Sequence, residues 1–183
     1  SLKHISIALL NSYQSNGDYL EVVPAQFKEL SGNTHHIQTI EKLANKLKAI
    51  AGGAVSPVFT AIDAEGNKHS LKDYLGKLVY VDVWATWCGP CKREIPHLEK
   101  LQKEYEGKDV YFISLSVDKD IQKWKKFLND NHASGIQLFD EKSWNSEFIR
   151  GYNIRGIPRF VLIDREGKII SANAPRPSSQ GIR

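Results

Sequence analysis

The sequence predicts an α/β fold, a central mixed sheet flanked by helices, and three observations carry that prediction. From Pro57 onward, short apolar runs rich in Val, Ile, Tyr and Phe alternate with stretches of helical periodicity. Turn signals such as Ala64-Glu65-Gly66-Asn67 and Arg165-Glu166-Gly167 punctuate them. A length of 183 residues with 41% hydrophobic content supplies one full core plus an appendage.

Residues 1–53 stand apart. Ile37, Ile40, Leu43, Leu47 and Ile50 recur at helical spacing, and Gly52-Gly53 closes the run as a linker. Upstream, residues 5–13 and 24–30 are expected to form two shorter helices around the turn signal Ser15-Asn16-Gly17-Asp18. This segment reads as a helical appendage, the end of a larger upstream region, with a separate binding module as the alternative. Residues 54–183 form the main domain. It opens with a hairpin, 58–62 returning around His69, followed by a buried strand at Leu78–Trp84 and a helix at 90–105 whose Ile95, Leu98, Leu101 and Tyr105 share a face. A strand at 110–117, a helix at 121–131, a strand at 136–139, a helix at 143–151 and strands at 159–163 and 168–171 complete the alternation, which implies parallel crossovers. Ser178-Ser179 is a candidate cap for a further, truncated helix.

Composition excludes some functions. The 25 basic and 21 acidic residues give a net charge of +4 with no run of five like charges, so nucleic-acid binding is not expected. No stretch approaches the roughly 18 apolar residues that span a bilayer, so these residues do not insert in a membrane; a signal or anchor outside them stays open. Both cysteines lie in one motif, which leaves no structural disulfide elsewhere.

That motif is Trp87-Cys88-Gly89-Pro90-Cys91, placed where a buried strand meets a helix. Disulfide exchange needs a thiolate, and the unpaired amides of a helix N-terminus favour one at Cys88. Cys91, one turn on, has the reach to attack a mixed disulfide formed at Cys88. The competing readings are a zinc half-site or inert core cysteines. A structural zinc normally takes four ligands, yet His97 and His132 are isolated and His35-His36 belongs to the appendage, so no metal is expected. Pro90 suits a first helical turn and Gly89 permits close approach by a partner backbone. Asp82, inside the apolar strand, is either a buried carboxyl of raised pKa that exchanges the Cys91 proton, or a strand-end group facing solvent or Lys77. Glu94, three residues after Cys91, either tunes that thiol or is a solvated helix carboxylate. Lys92 and Arg93 read as solvated charges, Pro96 as a kink, and Trp87 as surface around the nucleophile. Ile157-Pro158 precedes a strand, and its peptide bond is cis or trans on sequence alone.

Asp82, Trp84, Ala85, the run from Trp87 to Lys92, and Pro96 resemble the active-site stretch of thioredoxin, and Ile157-Pro158 resembles its cis-proline turn. The likeness covers about residues 56–171. The leading hairpin, Glu94 within Cys-Lys-Arg-Glu-Ile-Pro, and the long interval from Cys91 to Pro158 make the chain most similar to the TlpA and ResA type of thiol:disulfide oxidoreductases, grouped beside the alkyl hydroperoxide reductase family. The resemblance implies a thioredoxin-like fold with an inserted helix and strand, and an enzyme that reduces protein disulfides through a Cys88/Cys91 cycle. It further implies Cys88 as attacking thiol, Cys91 as resolving thiol, Asp82 and Glu94 as proton handlers, and Trp87, Gly89, Pro90, Ile157 and Pro158 as the substrate-docking edge. No cofactor beyond the redox-active disulfide is expected. The implied partners are protein disulfides and an upstream thiol reductant, for a monomer working in the periplasm or another extracytoplasmic space. Ile157 departs from the threonine of thioredoxin, which changes the docking edge, while Gly-Pro between the cysteines resembles reducing members. Two other functions compete, a peroxiredoxin-like thiol peroxidase and a non-enzymatic interaction module; the Pro-x-x-x-Thr-x-x pattern of the first is absent before Cys88.

Overall fold

The computed structural model of the chain describes residues 2–12 and 17–179. Three helices come first: α1 (Leu2–Ser12), α2 (Gly17–Leu30) and α3 (Thr34–Lys48). They pack on one another and bury Leu10, Leu20, Val23, Phe27, Ile40 and Leu47. Asn33 caps α3 by accepting the His36 amide at 3.0 Å. The expected start of the second helix at Pro24 is corrected: α2 begins at Gly17 and carries Pro24 inside it. A proline there forfeits one backbone hydrogen bond, but Leu20, Val23 and Phe27 lie on one stripe, and their burial holds the helix together through it. Ser15 and Asn16 lie outside the described residues.

The expected linker is structured. Gly53 donates its amide to the Ile169 carbonyl at 2.7 Å, Ile169 donates to Ala54 at 2.8 Å, and Ser56 donates to Gly167 at 2.9 Å. Gly53 reaches this geometry at φ +85, where a side chain would be strained.

The remaining elements are β1 (Thr60–Ile62), β2 (Lys68–Ser70), β3 (Leu78–Trp84), α4 (Gly89–Glu104), β4 (Val110–Ser116), α5 (Ile121–Asp130), β5 (Ile136–Phe139), α6 (Glu147–Gly151), β6 (Arg159–Ile163) and β7 (Ile169–Ser171). The strands form one mixed sheet in the order β2-β1-β5-β4-β3-β6-β7. β3, β4 and β5 run parallel because a helix returns the chain between them; β1, β2, β6 and β7 pair antiparallel. Six of the seven residues of β3 are buried, as its unbroken apolar run requires of a strand covered on both faces. Val79, Val81 and Val83 enter the main core, while Tyr80 turns to the α4 side and clusters with Leu98, Phe160 and Ala174. By alternation Asp82 and Trp84 share that side.

The helix expected at 143–151 is split. Ser143 sits at φ 51 with its hydroxyl on the Val117 carbonyl at 2.6 Å, a 3-10 turn covers Ser143–Asn145, and α6 restarts after Ser146, whose side chain accepts the Ile149 amide. α4 runs through Pro96 without interruption. Ser178 and Ser179 lie in a turn, and the region of the further helix expected after them falls on residues 180–183, outside those described.

Candidate redox site

β3 ends against the start of β6 and the end of β4. In register, Val83 lies opposite Arg159 and Trp84 opposite Ser116, so the chain leaving β3 toward the cysteines passes beside Pro158. The Ile157-Pro158 bond is cis, and both residues are half-buried. The loop between β3 and α4 is braced from β4. Thr86 donates its amide and its hydroxyl to the Asp118 carboxylate at 2.9 and 2.8 Å, and the Ser116 hydroxyl donates to the same group at 2.8 Å. Asp118 is buried, and sequence reasoning missed it. The available signal was an acidic residue just past an apolar strand adjacent to the motif strand.

Cys88 is the N-cap of α4 and Pro90 occupies its first turn. The two cysteines form a disulfide with their Cα atoms 5.2 Å apart. The Cys91 amide donates to Cys88 Sγ at 3.2 Å, and in the dithiol state that amide and the helix dipole favour a thiolate on the same sulfur. Cys91 is 1% exposed and Cys88 4%. Trp87 is 61% exposed beside them, while Trp84 is buried against Phe127 with ring centroids 5.3 Å apart. Gly89 is half-buried and Pro90 exposed, as are Lys92 and Arg93.

Asp82 is buried under α4, and its Oδ1 has no hydrogen-bond partner among the described residues. Burial, and after it the charge of Glu94, pushes its carboxyl up to about 8. The Lys77 ammonium lies 5.0 Å from the Tyr111 ring, away from the alternative partnership with Asp82. With Trp84, Asp82 lines a cleft of about 400 Å³ between α4 and α5 that Lys92, Glu99 and Gln137 also border. Glu94 is 6% exposed, which removes the reading of it as a solvated carboxylate. Its oxygens accept the Ser178 amide at 3.1 Å and the Ser178 hydroxyl at 2.9 Å. No sequence pattern signals that contact, which joins residues 84 positions apart. The arrangement thus gathers a disulfide at a helix N-terminus, an inner carboxyl able to hold a proton near neutral pH, and an exposed aromatic next in sequence to Cys88.

Comparison with known proteins agrees with this geometry. Residues 50–180 match the Redoxin family. The chain is 35% identical over 118 residues to the thiol-disulfide oxidoreductase ResA of Bacillus thuringiensis, covering 64% of this chain and 66% of that protein, just under two thirds of its length. It is 34% identical over 128 residues to the thioredoxin-like protein YneN of Bacillus subtilis, covering 69% and 73%. The crystal structure of the thioredoxin domain of a thiol-disulfide oxidoreductase from Bacteroides vulgatus superposes with a TM-score of 0.64 at 34% identity, over 69% of this chain and 89% of that one. A mixed sheet with its paired cysteines at the strand-to-helix junction, and a sequence match that runs from Ile50 past the last strand, make the chain a member of the Redoxin family.

Proposed function

We propose that the chain is a thiol:disulfide oxidoreductase that reduces protein disulfides outside the cytoplasm. The observation that carries the reading is the Cys88–Cys91 disulfide at the N-terminus of α4, with Cys88 as N-cap. In the reduced state the Cys88 thiolate attacks one sulfur of a substrate disulfide. A Cys88–substrate bond forms, the substrate disulfide breaks, and the departing thiolate takes a proton from solvent. Cys91 then gives its proton to the Asp82 carboxylate and attacks Cys88 Sγ. The mixed disulfide breaks, the second substrate sulfur leaves as a thiolate that takes a proton from solvent, and the Cys88–Cys91 bond closes. The electron pair has passed from the dithiol to the substrate, and an upstream thiol reductant restores the dithiol by the reverse exchange.

Trp87 and the Ile157-Pro158 edge flank the cysteines and serve as the docking surface for an extended substrate peptide. Gly89 and Pro90 keep the turn between the thiols low and rigid. The extracytoplasmic setting rests on the resemblance to the ResA type, and no described helix is long and apolar enough to cross a membrane.

The test is reduction of a disulfide-linked fluorescent peptide with dithiothreitol as electron source, run beside peroxide consumption under the same reductant. Peptide reduction that disappears in Cys88→Ser supports the proposal. Peroxide turnover that survives Cys91→Ser, with no peptide reduction, would replace it by a thiol peroxidase.

A further inference from the structure

The segment after β7 does not simply trail away from the sheet. Arg159 Nη1 donates to the Ala172 carbonyl at 3.2 Å, the Ala174 amide donates to the Phe160 carbonyl at 2.9 Å, and the Tyr80 hydroxyl donates to the Pro175 carbonyl at 2.7 Å. These bonds carry the chain across β6 and β3 to α4. There the Arg176–Ser179 turn closes, with the Ser179 amide on the Arg176 carbonyl at 2.9 Å, and Ser178 delivers its amide and hydroxyl to separate oxygens of Glu94. Arg176 Nη1 stands 3.9 Å from Glu94 Oε1.

A carboxylate this buried needs donors, because water no longer solvates it. Ser178 supplies two, its amide and its hydroxyl, from a segment that is remote in sequence and takes no part in the exchange itself. Glu94 lies one turn along α4 from Cys91, and its charge acts on Asp82 and on Tyr80 beneath the helix.

Taking Cys88/Cys91 as a thiol-exchange pair, we propose that Ser178, with Arg176 behind it, is a positioning residue that fixes Glu94 inward beside Asp82 and so sets how readily Asp82 accepts the Cys91 proton during resolution. Release of Glu94 toward solvent removes a like charge from Asp82, which then ionises at lower pH. The charged and titratable groups on this side are Tyr80 on β3, Lys92, Glu94 and Glu99 from α4, and Arg176 from the C-terminal turn; β4, β6 and α5 present Ser114, Phe160, Phe127 and Asn131.

The experiment uses the whole chain and follows the Asp82 carboxyl by carbon-13 NMR across pH, with the melting temperature measured alongside. In Ser178→Ala the Asp82 midpoint falls by at least about half a pH unit, and the pH midpoint of single-turnover mixed-disulfide resolution falls with it. Ser178→Thr restores both. In a Glu94→Gln background, Ser178→Ala produces no further shift, because the charge it positions is gone. A lower melting temperature with an unmoved Asp82 midpoint would overturn the inference and leave the turn a structural anchor, as would an equal shift in the Glu94→Gln background. If Ser178→Ala does not fold, Arg176→Gln, at a side chain 56% exposed, tests the same coupling through a smaller shift in the same direction. Absence of peptide reduction by the unsubstituted chain would instead refute the oxidoreductase reading, while the Asp82 titration would still report whether Ser178 positions Glu94.

Discussion

Replacing Asp82 by asparagine isolates the cost of a buried carboxyl, because the side chain keeps its shape and loses only its ability to ionise. Unfolded, the carboxyl titrates at its ordinary value of 3.8; folded, it titrates at about 8. Between these values the folded state binds a proton that the unfolded state has lost, so Asp82 makes stability fall as pH rises, at about 1.4 kcal/mol per unit. Its penalty is absent below pH 3.8, reaches on the order of 4 kcal/mol at pH 7, and levels off near 6 above pH 8. Asp82→Asn should therefore match the parent at pH 4 and exceed it by several kcal/mol at pH 8.5. Guanidinium unfolding of both oxidised proteins between pH 4 and 9 measures the difference, in which most other titrating groups cancel. Parallel stability curves, or a parent that is the more stable protein at pH 8.5, would refute the reasoning. The same substitution removes the acceptor for the Cys91 proton, so resolution at about pH 8.5, where Asp82 is mostly ionised, should slow by at least about tenfold.

Three further outcomes are expected. Cys91→Ser should accumulate a Cys88 mixed disulfide with the reporter peptide, visible as a mass adduct, whereas Cys88→Ser should form none; adducts on Cys91 in the latter would reverse the assigned roles. Asp118→Ala leaves the Thr86 amide and two hydroxyls without their acceptor, and should cost about 2–4 kcal/mol in chemical denaturation while slowing peptide reduction, a loss that Asp118→Asn recovers in part. Trp87→Ala, at an exposed position, should change stability by less than about 0.5 kcal/mol yet raise the KM for the peptide several-fold; an unchanged KM would remove Trp87 from the docking surface.

The core of the fold and the center of the site were legible because they rest on local chemistry. An uninterrupted apolar strand, a proline suited to a first helical turn and two cysteines three apart need no distant information to be placed at a strand-to-helix junction. Asp82 was legible for a related reason, since a lone carboxylate within such a strand has few ways to avoid burial. Boundaries were less so. Pro24 looks like a start signal, yet the stripe of Leu20, Val23 and Phe27 draws the helix seven residues further back. Ser143 and Ser146 split a segment whose periodicity reads as one helix, because their hydroxyls bond to the Val117 carbonyl and the Ile149 amide.

By itself, then, the sequence determined the alternating architecture, the Cys88/Cys91 pair and the strand that carries Asp82, all consequences of patterns within a few residues. Only the tertiary structure decided which environment each charged group occupies. Lys77 lies over Tyr111, Asp118 reaches back to brace Thr86, the supposed linker at Gly52-Gly53 bonds to β7 through Gly53 and Ile169, and Ser178 takes both oxygens of Glu94. Each of these depends on the distance between groups remote in the chain, and hydrogen bonds and burial act over ångströms in space, a quantity that no local pattern of residues encodes.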